Sequence, residues 1–147
     1  MLSLVHATSG AFVAVKLGLP LLYIPVALGL HYLEDWIPHW DVGTGLSNGT
    51  RTKQTALLLE LIDLVLSASL IFFLWQQGQP FNYHIWLGAF FGLLPDFLEA
   101  PRNFLGFEPA FLKRINNFHG KFHHSIPHMF YGLAPQAVTL LAIGFLR

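Results

Sequence analysis

The chain of 147 residues is 54% hydrophobic and 11% charged, with a mean hydropathy of +0.52, eight basic against eight acidic residues, and no cysteine. A charged fraction less than half the roughly 25% of soluble domains leaves too few polar side chains to cover a soluble globule, so the composition predicts one integral membrane domain over residues 1–147. Zero formal charge gives no electrostatic footprint for nucleic acid, and the lack of cysteine excludes disulfides and thiolate metal ligands.

A first helix is predicted over about Leu2–Leu17, short of the roughly 20 apolar residues of a full span, with Lys16 and Gly18–Pro20 ending it. The first residues lack a basic region and a small-residue cleavage site, so this segment reads as a membrane helix rather than a signal peptide. A second helix is predicted from Pro20, suited to a first turn, to Pro38, with Pro25 placed to kink it. Residues 42–54 (VGTGLSNGTRTKQ) read as a loop. Thr55–Trp75 is the clearest span, interrupted by Glu60 and Asp63, and Gln76–Pro80 is a turn. A fourth helix runs over about Phe81–Leu98, where Gly88 and Gly92 form a small-x-x-x-small face suited to helix packing. Glu108 to about His124 is amphipathic, with Phe111, Leu112, Ile115, Phe118 and Phe122 opposite Lys113, Arg114, Asn117 and Lys121, and is placed at the membrane surface. His128–Leu146, containing Pro135, is the last helix. The fold class is therefore all-α: an integral membrane helical bundle of about five membrane helices plus one interfacial helix.

Arg51 and Lys53 follow the second helix, and Arg102, Lys113, Arg114 and Lys121 follow the fourth. In an up-down arrangement these share a side with the N-terminus, and the positive-inside rule makes that side cytoplasmic, in the inner membrane. Seven of the eight histidines fall on it, as do Asp35, Asp41, Asp96 and Glu99; only His84 is left out. Asp63, about eight residues into its helix, reaches a depth similar to that of His31.

An acid inside a membrane helix is expensive and marks a functional site by default, which singles out Asp63 with His31 and Asp35 as its neighbours. His31, Asp35 and His39 are four residues apart and line one helical stripe, whereas Glu34 and Trp36 fall on other faces. His119-x-x-x-His123 and His124-x-x-x-His128 repeat the spacing that helical metal sites use. Imidazole and carboxylate without thiolate suit a divalent metal, zinc first and manganese or iron after it, and enough carboxylates are present to suit two ions clamping a phosphate. Each feature also has a plainer reading. A His-x-x-x-Asp pair can be an ordinary polar helix end, histidines are tolerated beside interfacial Trp36 and Trp40, and Lys113, Arg114 and Lys121 suit anionic lipid head groups.

Two stretches, LLPDFLEAP (residues 93–101) and FHGKFHHS (residues 118–125), together with His6, give the chain a resemblance to the YdjM-like family of membrane-bound metal-dependent hydrolases, itself distantly similar to zinc-dependent phospholipase C. The first stretch looks like that family's Leu-Pro-Asp-x-Asp-His-Pro element and the second like its His-Arg-Gly-x-Thr-His-Ser element. The resemblance implies His6, Asp96, His119 and His124 as ligands, with His123 in place of His124 if helical spacing decides. This chain departs from the pattern at Leu98, Glu99 and Ala100, and at Gly120, Lys121 and His123.

Residues and resemblance together give nine candidate metal ligands: His6, His31, Asp35, His39, Asp63, Asp96, His119, His123 and His124. Asp35 or Glu99 would act as general base, Lys121 or a second metal would hold the phosphate, and His39 and Asp41 would form the rim of the pocket. The expected activity is phosphoester hydrolysis on membrane lipids. The rival is a non-catalytic assembly protein whose polar cluster ties helices together; a proton or metal-ion carrier ranks last, because the other half of the chain offers few polar groups.

Overall fold

A computed structural model describes residues 1–147. It has six α-helices and no strand: α1 Ser3–Leu17, α2 Pro20–Trp36, α3 Lys53–Ile71, α4 Tyr83–Ala100, α5 Ala110–His119 and α6 Met129–Leu146. Local chemistry sets the ends. Gly18 closes α1 in the left-handed conformation at φ 68°, which glycine adopts without a Cβ penalty. Pro20 opens α2. The Thr52 and Asn82 side chains accept from the amides of Thr55 and His84 at the starts of α3 and α4. Single π-helical turns extend α3 through Phe72–Gln76 and α4 through Pro101–Leu105. The amphipathic helix α5 ends at His119, five residues short of its predicted end, and Gly120–Phe122 turn away from it.

Helix α1 is the central element. Ser3, Val5, His6, Ala7, Thr8, Ser9, Gly10, Ala11, Val13 and Ala14 are all buried in it, and it packs against α2, α3, α4 and α6. Its small residues allow this. A Cβ on Gly10 would lie 2.2 Å from the Gly88 carbonyl oxygen, and one on Gly92 would lie 2.2 Å from that of His6. Backbones this close exclude any side chain, so the GAFFG face packs helices, as its spacing predicts. Ala7, Ala11, Ile71, Ile85, Ala89 and Leu93 form the core on this seam.

The N-terminal end of α1 is tied down by its neighbours. Asp63 of α3 accepts the Ser3 amide at 2.7 Å and the Leu4 amide at 3.2 Å, and Glu60 accepts the Ser3 hydroxyl at 2.6 Å. Gln136 of α6 accepts the Leu2 amide at 2.9 Å and donates to the Trp40 carbonyl at 2.6 Å. These side chains satisfy amides that a helix start leaves without intrahelical partners.

The outer helices present apolar side chains outward. Leu58, Leu61, Val65 and Phe73 on α3, and Phe130, Val138, Leu141 and Phe145 on α6, are all more than half exposed. Residues 53–76, with mean hydropathy 2.4, and 129–146, with 1.6, are long and apolar enough to cross a membrane. The five-span expectation is thus met by two helices. Helices α1 and α2 are 15 and 17 residues long, and α4 carries Pro95, Asp96 and Glu99 in its last turns.

Gly10→Val is expected to force α1 off α4 and cost at least the 1–3 kcal/mol typical of overpacking. Thermal unfolding in detergent reads this directly, and an unchanged Tm would contradict the seam.

Candidate metal centre

Helix α2 delivers His31 and Asp35 on its inward face, 1% and 0% exposed. Pro38 disfavours helical backbone at Ile37, which is extended at φ −75°, ψ 130°. From there the chain runs alongside residues 124–126. The His39 amide donates to the His124 carbonyl at 3.1 Å, the Ile126 amide to the His39 carbonyl at 2.7 Å, and the His124 amide to the Asp35 carbonyl at 3.0 Å. This pairing sets His123 beside His39. Past the helix the side-chain period is two, so His39 and Asp41 share a face, and both point inward.

Four donor atoms from three helices converge. His31 Nε2 and His119 Nε2 are 3.2 Å apart. Asp35 Oδ2 is 3.4 Å from the first and 2.8 Å from the second. Asp96 Oδ1 is 3.7 Å and 3.8 Å from the same two nitrogens. Ligands about 2.0–2.1 Å from a tetrahedral zinc stand roughly 3.3 Å from one another, so these separations suit a divalent ion. His31 Nδ1 donates to the Gly92 carbonyl at 2.7 Å, which leaves the Nε2 lone pair facing the other donors. Glu99 Oε2 stands 3.1 Å from His119 Nδ1, in a contact too bent to count as a hydrogen bond, and Glu99 is ion-paired with Arg102.

A second group lies on the other side of Asp35. His39 Nε2 is 3.6 Å from Asp35 Oδ1 and 3.2 Å from His123 Nε2. Asp41 Oδ2 is 3.3 Å from each imidazole. Burial holds the His39 imidazole below its ordinary value. A neutral imidazole and an ionised carboxylate are the forms that ligate a metal. The set His31, Asp35, Asp96 and His119 could hold a metal ion, and so could Asp35, His39 and His123.

His6 supports the centre from α1. Its ring stacks on that of His31 with centroids 3.9 Å apart, Nε2 is 3.1 Å from Asp35 Oδ1, and Nδ1 pairs with Glu34 at 2.7 Å. The Met1 nitrogen also meets Asp35 Oδ1 and lies 2.8 Å from His6 Nε2.

Of the candidate ligands, His6, His31, Asp35, His39, Asp96, His119 and His123 come together. Asp63 does not: its oxygens are taken by the start of α1, because an uncapped buried helix end is itself costly. His124 does not either. Its side chain is exposed while its backbone pairs with Asp35 and His39, so the helical-spacing alternative His123 occupies the cluster. Lys121 is exposed and lies outside the cleft lining. Asp35, named also as a base, is wholly enclosed, whereas Glu99 lines the cleft. Two contributors fell outside the ligand reading. Glu34 faces α1, where it accepts from His6 and from the Ser9 hydroxyl; the polar pair His6 and Ser9 on an otherwise small-residue helix was its signal. Asp41, read only as rim, belongs to the second group. His84 pairs instead with the Tyr23 hydroxyl at 3.0 Å.

The centre opens on a cleft of about 680 Å³ whose wall includes Asp41, Asp96, Glu99 and His123 together with Arg51, Lys53 and Arg102. Tyr32, Phe118 and Phe122 form an aromatic wall beside His119, with Tyr32 5.4 Å from each phenylalanine ring. No protein-family model, curated protein or solved structure matches this chain.

Asp63→Ala is expected to lower stability by about 0.5–2 kcal/mol, the usual cost of losing a cap, without changing bound metal. His124→Ala should change neither. Thermal melts paired with elemental analysis check both, and loss of metal from either variant would contradict the placement.

Proposed function

We propose that the chain is a membrane-embedded, divalent-metal-dependent hydrolase acting on phosphoester bonds of lipids, with zinc the first choice of ion. The observation that carries this reading is the convergence of His31, Asp35, Asp96 and His119 at tetrahedral-edge separations beside a cleft. The donor chemistry, imidazole and carboxylate, suits zinc, manganese or iron. When bound there, the ion supplies Lewis acidity and brings the pKa of water to about 7.

The protein's own groups have separable tasks. His31, Asp35 and His119 would hold the ion from within, and Asp96, the most exposed of the four donors, faces the cleft. Glu99, on the same wall beside His119, is placed to take a proton from water. Lys53 and Arg102 line the cleft and would neutralise a phosphate, the task expected of Lys121. The outward apolar faces of α3 and α6 would seat the protein in the inner membrane, with the cleft at the cytoplasmic head-group level where Arg51, Lys53 and Arg102 gather. The resemblance to the YdjM-like hydrolases points the same way.

The purified protein is expected to carry zinc, manganese or iron by elemental analysis. His31→Ala and His119→Ala should each weaken binding by more than the 10–100-fold that an outer-shell partner costs. Hydrolysis of a fluorogenic phosphodiester in mixed micelles should stop on chelation and return with zinc or manganese. Protein that purifies without metal would leave the cluster as a helix-tying device, and metal-replete protein that cleaves neither phosphodiester nor phosphomonoester would leave the ion a structural one.

A further inference from the structure

We infer that the site is binuclear: His39, Asp41 and His123, with Oδ1 of Asp35, form a second divalent-cation centre that shares Asp35 with the first. This inference rests on the metal reading above and adds a distinct ion to it.

The argument begins with an atom that has no partner. Asp41 is 6% exposed, and its Oδ2 makes no hydrogen bond. A buried carboxylate oxygen left bare is costly, yet this one is aimed at two imidazole nitrogens, each 3.3 Å away. Those nitrogens are themselves 3.2 Å apart. His39 Nδ1 donates to the Ile37 carbonyl at 2.9 Å, so its Nε2 carries a lone pair rather than a proton. With Asp35 Oδ1 at 3.6 Å from His39 Nε2, the atoms form a second set of acceptors at separations close to the roughly 3.3 Å edges of a tetrahedral ion. With the His123 proton on Nδ1, Nε2 of both rings and the Asp41 oxygen are acceptors facing one another, and a cation between them satisfies all three.

Asp35 joins the two sets, Oδ2 toward His31 and His119 and Oδ1 toward His39. On its inner side Oδ1 also meets His6 Nε2 and the Met1 nitrogen. Each centre reaches the cleft through its own residues, the first by Asp96 and the second by Asp41 and His123. An anionic oxygen ligand such as a phosphoryl group entering that cleft can therefore address both. Paired ions of this kind stabilise both the attacking and the leaving oxygen of an in-line displacement.

The test uses the full chain in detergent, stripped of metal and reloaded with Mn2+. Elemental analysis is expected to give two ions per wild-type chain and one in His123→Ala and in Asp41→Asn. Electron paramagnetic resonance should show an exchange-coupled pair in the wild type and an isolated six-line signal in the variants. His123 is the more exposed position, so its variant keeps the test open if Asp41→Asn fails to fold. One ion per wild-type chain, lost on His31→Ala, overturns the second centre and leaves the hydrolase reading standing. Two ions retained in both variants overturn it as well. No ion in any form overturns both readings.

Discussion

Everything in this protein is arranged around one carboxylate. Asp35 is fully enclosed, and imidazoles reach it from α1 (His6), from its own helix (His31), from the segment beyond it (His39) and from α5 (His119). An isolated buried charge carries a desolvation cost that no nearby packing returns. The fold must therefore bring enough positive or ligating partners to that point, and they arrive from sequence positions far apart.

Two structural conditions make the convergence available. Helix α1 has to pass close enough for His6 to stack on His31, and Gly10, Gly88 and Gly92 remove the side chains that would hold α1 and α4 apart. The start of α1 must also be fixed, and the acids and amide of α3 and α6 do this. The helices with the most apolar exteriors thus contribute their few inward polar groups to holding the central helix, not to the centre itself. A helix apolar enough to cross a membrane that uses Asp63 this way gains position for a neighbour, which accounts for a buried acid there without giving it a ligand role.

The helices were largely legible in the sequence, because apolar runs bounded by Gly, Pro and capping residues signal them locally. Their surroundings were less so. Hydropathy alone cannot distinguish a helix that faces lipid from α1, whose small residues are enclosed by other helices. The stripe His31, Asp35, His39 was legible from spacing, but the reason it holds is different at its last member. Helix α2 stops at Trp36, and His39 returns to the cluster because the extended chain pairs with residues 124–126. That pairing is non-local, and so was the choice between His123 and His124. Asp41 was within reach of a reader who switched from a period of 3.6 to a period of two after Pro38. Asp63 misled because burial depth in a helix gives no direction, and its nearest partners were amides that every helix start presents.

What separates a metal site from a hydrogen-bonded knot here is the balance of donors and acceptors. His31 and His39 each donate through Nδ1 to a backbone carbonyl, so both turn a lone pair inward. The oxygens they face belong to Asp35, Asp96 and Asp41, which accept when ionised. Protons do hold the inner side of Asp35, where the Met1 nitrogen, His6 and His119 all lie within hydrogen-bonding reach. The two imidazole pairs stand at the same 3.2 Å separation, and Asp41 Oδ2 has no hydrogen bond. Toward the cleft, by contrast, carboxylate oxygens and imidazole nitrogens face one another, and these groups could hold a metal ion. Those groups also meet water: Asp96, Asp41 and His123 line the cleft, so the side of the cluster with facing acceptors is the side that opens.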